Sequence, residues 1–316
     1  MGDRGTREVP LSWLLGVTGA NSAVGRAILR LPDGDRAEVT GLVAGVRSER
    51  AESELPPLWG EGSRVARISY DDPAMLMAAF DGCDAIAHLP GVLIERPGST
   101  YETANVETTR AVTECAARLE IKKLVLVSAV GADSKSPNRY YRTKGEAEDI
   151  VRRSGVPFTI LRAPLLLGAY TEGSEQLRQN GRKHKRWLLG GGRNIQQPLH
   201  VADMANAVLR SADQDMVYQR TLDMVGTYTV SERDLALMTS NSMGIGDVKI
   251  RAFPIGLARR AAALRTRFGG PGFSPDVIDV ITADTDLPTS GQDALSMACF
   301  QIAQMIRDTV RDPERQ

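Results

Sequence analysis

Tyr140 and Lys144 stand four residues apart in a stretch, 140–153, whose pattern predicts a helix stopped by Gly155 and Pro157. Side chains at that spacing leave the same face of a helix. An ammonium beside a phenol favours the phenolate, which would make Tyr140 an acid/base usable near neutral pH. Ser128 ends the unbroken apolar run 124–128, read as a buried strand. Its hydroxyl is suited to hydrogen-bond a substrate carbonyl.

A second set of residues is suited to binding. Gly16, Val17, Thr18, Gly19, Ala20, Asn21, Ser22, Ala23, Val24 and Gly25 lie between an apolar run, 13–17, and a stretch of helical spacing, 22–30. Glycines in a strand-to-helix turn let the backbone approach a diphosphate, and the helix start adds free N–H groups and a positive dipole end. The next strand, 39–46, is followed by Arg47, Ser48, Glu49 and Arg50. An acidic residue at that tip would accept from a ribose 2′-OH and repel a 2′-phosphate. Arg47 instead offers a fork to a phosphate, with Ser48 and Arg50 as helpers, so NADP(H) is preferred over NAD(H).

These residues need a scaffold, and the chain supplies one. Strands are predicted at 13–17, 39–46, 65–69, 84–89, 124–128, 158–161 and 221–225, alternating through 161 with helical stretches at 22–30, 73–80, 105–119 and 140–153. Apolar strands separated by helices imply an α/β fold, a doubly wound parallel sheet with its ligand crevice at the carboxyl ends of the strands. Beyond about residue 165 the pattern is less regular, with helices near 201–211, 254–267 (basic and amphipathic), 277–283 and 293–310. The expected organisation is a dinucleotide-binding domain over 11–230, with substrate-lobe insertions after about 165, and a small, mostly helical lobe over 231–316.

The run Thr18 to Gly25 resembles the T-G-A-x-G-x-x-G fingerprint of extended and atypical short-chain dehydrogenases/reductases. It is most similar to the atypical NAD(P)H-binding branch that includes the NmrA-like proteins and relatives of a complex I accessory subunit. Ser22 stands where that pattern has its middle glycine. The resemblance implies a Rossmann fold and extends over about residues 12–230. It implies that Asp71 or Asp72 lies near the adenine, and that His88, Leu89, Pro90 and Gly91 match an H-L-A-G run beside the cofactor. It also makes Asn105, Ser128, Tyr140 and Lys144 the counterpart of the family's catalytic tetrad, with the asparagine ordering a proton-relay water and Lys144 also holding the nicotinamide ribose. Residues 156–164 look like the strand that ends in L-R-P, with Ala163 replacing a proline. Asp203 falls in a segment resembling V-x-V-x-D-V-A, where it would tie a loop to a helix.

Composition narrows the function. Lys+Arg and Asp+Glu both number 39, so the net charge is zero and a nucleic-acid partner is not expected. No apolar run approaches a bilayer span, so no membrane partner is expected. Residues 1–10 lack the apolar centre of a signal peptide, and three cysteines without metal-like spacing fit a reducing cytoplasm. No metal site is proposed, since His88, His184 and His200 share no ligand spacing. The basic run 178–187 reads as a solvated loop near the site mouth, with a grip on a substrate anion as the alternative. The expected activity is an NADP(H)-dependent oxidoreductase acting on a small carbonyl or alcohol substrate. The other readings are an NADP(H)-binding sensor or assembly protein and a nucleotide-sugar epimerase-like enzyme, the last disfavoured because such enzymes need an acid where Arg47 sits. Homo-oligomerisation is left open.

Overall fold

The structure, a computed structural model, describes residues 13–32, 34, 36, 38–213, 219–267 and 273–311. The signal-peptide reading of residues 1–10 lies outside them.

Seven strands form one parallel sheet: β1 (Leu14–Thr18), β2 (Gly41–Val46), β3 (Arg64–Arg67), β4 (Ala85–His88), β5 (Lys123–Ala129), β6 (Phe158–Ala163) and β7 (Arg220–Asp223). Their spatial order is β7-β6-β5-β4-β1-β2-β3. The chain winds outward from β1 through β2 to β3, then returns to place β4 on the other side of β1. That reversal opens the crevice in which such sheets take ligands.

Alternation along the strands decides what each face buries. Leu15, Val17, Leu42, Ala44, Ala85, Ala87, Val125 and Val127 join one core, and Val43, Ile86, Leu124 and Leu126 the other. The first core is covered by α1 (Ala23–Ile28) and later by α7 (Val201–Ala212); α2 (Glu49–Ser53) follows β2. The second is covered by α3 (Pro73–Phe80), α4 (Thr108–Arg118) and α5 (Arg139–Arg153). A strand polar on one face could not be covered twice, so the continuous apolar runs require this three-layer arrangement.

The part of the chain beyond β6 adds α6 (Glu172–Gly181), α8 (Glu232–Ser242), α9 (Ile255–Arg267), α10 (Pro275–Thr282), α11 (Ser290–Ala294) and α12 (Ile302–Val310). Leu167, Leu235 and Ile306 form its small core. Strand Lys185–Leu189 pairs in parallel with Lys249–Phe253, joining residues on both sides of residue 230.

Two expectations fail here. The basic run 178–187 is not a loop: it is the last turn of α6, a short link and the strand Lys185–Leu189. Arg186, buried, donates to the carbonyls of Ala236 (2.7 Å), Gly181 (2.9 Å) and Lys183 (3.3 Å). The guanidinium thus caps the Gly181 carbonyl at the end of α6 and ties it to Ala236 of α8. Nor is 293–310 one helix. It breaks between α11 and α12, where Ser296 takes a φ of 51° and Phe300 is pulled aside to donate its N–H to Asp203 (2.9 Å).

Candidate active site

At the carboxyl end of β1 the chain turns into α1 through Gly19, whose φ of 70° is left-handed and suits glycine. Ser22 caps α1, its Oγ accepting from the Gly25 N–H at 3.1 Å. Serine in the place of the expected glycine therefore serves the helix start, while its hydroxyl proton stays available for donation. The amides of Ala23 and Val24 have no intrahelical acceptor and remain for a ligand. Gly25 is required by packing: a Cβ there would lie 2.4 Å from the Ala20 carbonyl oxygen. Gly25→Ala is expected to cost about 1–3 kcal/mol of stability and to weaken dinucleotide binding by lifting α1 from β1. Denaturant unfolding and an NADPH titration of the variant check both effects.

The ends of β1 and β4 are locked together. Thr18 Oγ1 and His88 Nδ1 lie 2.8 Å apart, in register across the sheet. Burial, with Lys144 nearby, pulls His88 down to about 3, so the imidazole is neutral. His88 is thus a structural tie. The residues after it, Leu89, Pro90 and Gly91, turn over the crevice, with the Pro90 ring against Gly19.

At the end of β2, Arg47 is exposed. Its expected helpers each have a local contact as well. Ser48 caps α2 by accepting from Ala51 N–H (3.2 Å), and Arg50 pairs with Glu54 (3.1 Å). Asp72 caps α3, accepting from Met75 N–H (3.0 Å), which leaves the exposed Asp71 as the carboxylate beyond β3.

The four reactive candidates come from three elements. Asn138 caps α5 by accepting from the N–H groups of Tyr140 (3.0 Å) and Tyr141 (3.3 Å), which fixes the turn that presents Tyr140. Lys144, buried one turn on, reaches the Val127 carbonyl at 3.4 Å, beside Ser128. A Cβ on Gly91 would sit 2.5 Å from Lys144 Nζ and 3.2 Å from Asn105 Oδ1, so Gly91, Asn105 and Lys144 meet at one point. Asn105 lies in a π-helical turn, Glu102–Glu107, directly before α4, and donates to Thr143 Oγ1 at 3.0 Å. Such turns are rare and often occur at functional sites.

Ser128 Oγ and Asn105 Oδ1 are buried and have no hydrogen-bond partner. An orphaned buried polar atom costs about 1–3 kcal/mol, so a site that keeps two of them is built for polar groups brought by a ligand. The residues present therefore fit a dinucleotide and a polar substrate: glycine backbone and free amides at β1, a cation at β2, and unpaired polar atoms at β5 and the π-turn.

Electrostatics correct one expectation. Burial first, then Tyr141, Tyr101 and Glu172, raise the Tyr140 hydroxyl above its ordinary value rather than lowering it. The Lys144 ammonium is directed to Val127 and Gly91, and burial pulls it down to about 8 against the opposing pull of Glu148. Tyr140 is thus a neutral phenol, the form a proton donor needs, and Lys144 stays largely charged at neutral pH.

Two residues at the site escape sequence reasoning. Tyr101, fully buried, meets the Tyr140 ring edge-on at 5.8 Å and donates to the Leu93 carbonyl (2.8 Å). Thr143 orients Asn105. Thr143 lies three residues after Tyr140 on the same helix, a spacing that could have flagged it; nothing local marks Tyr101. Arg162, from the L-R-x-P run, points away from the site into a buried pair with Glu148. Among the described residues no group of three or more His, Cys, Asp or Glu is arranged to hold a metal.

A doubly wound parallel sheet with a glycine turn at its switch point is the architecture of a dinucleotide-binding protein. A family model described as NAD(P)H-binding matches residues 19–215, and the chain belongs to that family. It is 25% identical over 306 residues to the mitochondrial NADH dehydrogenase [ubiquinone] 1 alpha subcomplex subunit 9 of Arabidopsis thaliana, covering 84% of this chain and 76% of that one. It is 24% identical over 178 residues to the mitochondrial NADH-ubiquinone oxidoreductase 40 kDa subunit of Neurospora crassa, covering 55% of this chain and 46% of that one. It is 30% identical over 128 residues to cinnamoyl-CoA reductase 2 of Arabidopsis thaliana, covering 40% of this chain and 38% of that one. The chain thus spans under half the length of these last two. Its fold matches a Citrobacter sp. triphenylmethane reductase complexed with NADP(H), at a TM-score of 0.70 and 17% identity over 93% and 99% of the two chains. It likewise matches a Streptomyces venezuelae dTDP-glucose 4,6-dehydratase, at 0.71 and 17% over 94% and 95%.

Proposed function

We propose that the protein is an NADP(H)-dependent oxidoreductase that reduces a small carbonyl compound or oxidises the matching alcohol. The observation that carries this reading is the convergence of Lys144, Gly91 and the unpartnered Asn105 Oδ1, next to the unpartnered Ser128 Oγ, on a helix that also presents a neutral Tyr140. NADPH held at the turn from Gly16 to Gly25 would supply the hydride for the carbonyl carbon. The Ser128 hydroxyl donates a hydrogen bond to the substrate oxygen and holds it toward α5. The Tyr140 phenol gives its proton to that oxygen as negative charge develops there. The Lys144 ammonium holds a ribose hydroxyl, and Asn105 Oδ1 accepts from a water that returns the proton to Tyr140.

Preference for the phosphorylated cofactor rests on Arg47, exposed at the tip of β2 where an acid would favour NAD(H). Arg47→Ala is expected to weaken NADPH binding about tenfold to a hundredfold with NADH binding unchanged, the effect of one lost charge-assisted contact. Equal loss for both nucleotides in parallel titrations removes Arg47 from the discrimination. A cytoplasmic location accords with the free thiols Cys83, Cys115 and Cys299.

A second reading, an NADP(H)-binding assembly or regulatory protein, is favoured by the match over 84% of this chain to a subunit of NADH dehydrogenase. NADPH consumption with a panel of ketones, enones and quinones, run beside direct NADPH binding, separates the two. Turnover on any member supports the reductase; tight binding with no turnover across the panel supports the second reading.

A further inference from the structure

Three elements of the chain beyond β6 carry cations and no carboxylate: the strands Lys185–Leu189 and Lys249–Phe253, and helix α9. In the two-stranded ribbon Lys249 lies opposite Lys185 and Arg251 opposite Trp187, and all four side chains are exposed. Like charges opposite one another work against a ribbon, so this face gains from an anionic partner. The Trp187 ring is 59% exposed, with the Arg251 guanidinium 5.8 Å from its centre.

The ribbon runs through Pro254 directly into α9, the segment whose sequence predicts a basic amphipathic helix. Ile255, Ala258 and Ala262 form its inward face, and Arg259 meets Asp279 of α10 at 3.2 Å. The opposite face carries Leu257, Arg260, Ala261 and Leu264 at helical spacing, with Leu257 55% and Leu264 59% exposed. A helix with both polar and apolar faces ordinarily turns its leucines to the core, and this one turns them out beside arginines.

We infer that this surface, the outer face of α9 with the Trp187–Arg251 ribbon, docks peripherally on the anionic headgroup region of a lipid bilayer. Charge complementarity selects the occupant. The chain is neutral overall, yet Lys185, Lys249, Arg251, Arg260 and Arg265 are exposed on the ribbon and on the helix that follows it, elements that hold no carboxylate. The apolar residues alternate with these cations rather than forming the continuous apolar centre of a protein interface. Alternation suits the boundary between headgroups and acyl chains, where leucine and tryptophan sink slightly and arginine stems lie along the surface with their guanidinium groups on phosphate. This departs from the sequence expectation of no membrane partner, which was based on the lack of a spanning apolar run. Among the described residues no helix is long and apolar enough to cross a membrane, and surface docking needs none.

The test is co-sedimentation of the full chain with vesicles of phosphatidylcholine alone or mixed with phosphatidylglycerol, with tryptophan emission recorded alongside. Trp13 and Trp59 are buried, so a change in emission reports Trp187. The protein is expected to sediment with the phosphatidylglycerol vesicles and not with phosphatidylcholine alone. Its emission should shift to the blue, and Trp187→Phe should abolish that shift. L257D/L264D and R260E/R265E, all at exposed positions and checked by circular dichroism, should each cut the bound fraction about tenfold or more. Failure to sediment with anionic vesicles at low salt overturns the inference, as does binding that L257D/L264D leaves intact. A concentration-dependent dimer that Leu264→Asp dissolves also overturns it, by making a second copy the occupant.

Discussion

Tyr140→Phe is expected to lower turnover by about 10²–10⁴-fold, the usual worth of a positioned general acid, while NADPH affinity stays as in the parent. The change removes only the phenolic oxygen. The ring keeps its edge contact with Tyr101 and its tilted contact with Tyr141 (5.6 Å), and the Asn138 cap acts on backbone N–H groups that the substitution does not touch. Fold and cofactor site are therefore preserved, and the loss should fall on kcat. Single-turnover rates with saturating NADPH and any substrate from the panel measure it. Unchanged turnover takes Tyr140 out of the mechanism and leaves Ser128 and Lys144 to be explained without it.

Glu148→Ala should produce the largest loss of stability. Its carboxylate is fully buried and takes both oxygens to Arg162, at 2.8 and 2.7 Å, with Arg152 adding a contact at 2.6 Å. Arg162 also donates to the Ala132 carbonyl, and Arg152 to Thr221 on β7, so one carboxylate joins α5 to the ends of β5, β6 and β7. Removing it leaves two guanidinium groups, one half-buried, without their main partner, at a cost of about 3–5 kcal/mol. The exposed pair Arg67–Glu52 supplies the contrast, since exposed pairs contribute about 0–1 kcal/mol. Denaturant unfolding of the two alanine variants should separate them clearly. A loss at Glu148 no larger than at Glu52 contradicts the account of how α5 is held.

What the sequence revealed depended on how local each signal was. β2, β4 and β5 are buried along their whole length, so unbroken apolar runs marked them within a residue or two. Boundaries slipped where a side chain did something the pattern does not encode. The strand expected from residue 39 starts at Gly41, because Thr40 Oγ1 is spent accepting the Trp13 N–H (2.7 Å). The glycine turn and the Tyr140–Lys144 spacing were visible because both are short-range geometry. Long-range contacts were not. Phe300 reaches Asp203 across 97 residues and its ring stacks on His200 at 4.3 Å, and this breaks a helix that periodicity alone would continue. Asp203 does tie α7 to a loop, as expected of it. Arg186 falls in a run that reads as a solvated loop, yet it satisfies a buried carbonyl of Ala236, far along the chain. The direction of the shift at Tyr140 was misread for the same reason: the spacing showed Lys144 but not the burial or the neighbouring tyrosines.

Calorimetric titration of the purified protein with NADPH, and separately with NADH, tests the central claim most directly. That claim is that the turn from Gly16 to Gly25 holds a dinucleotide's diphosphate while Arg47 selects the phosphorylated form. Saturable binding of NADPH, tighter than that of NADH, is the predicted result. A protein that is folded by circular dichroism yet binds neither nucleotide contradicts it.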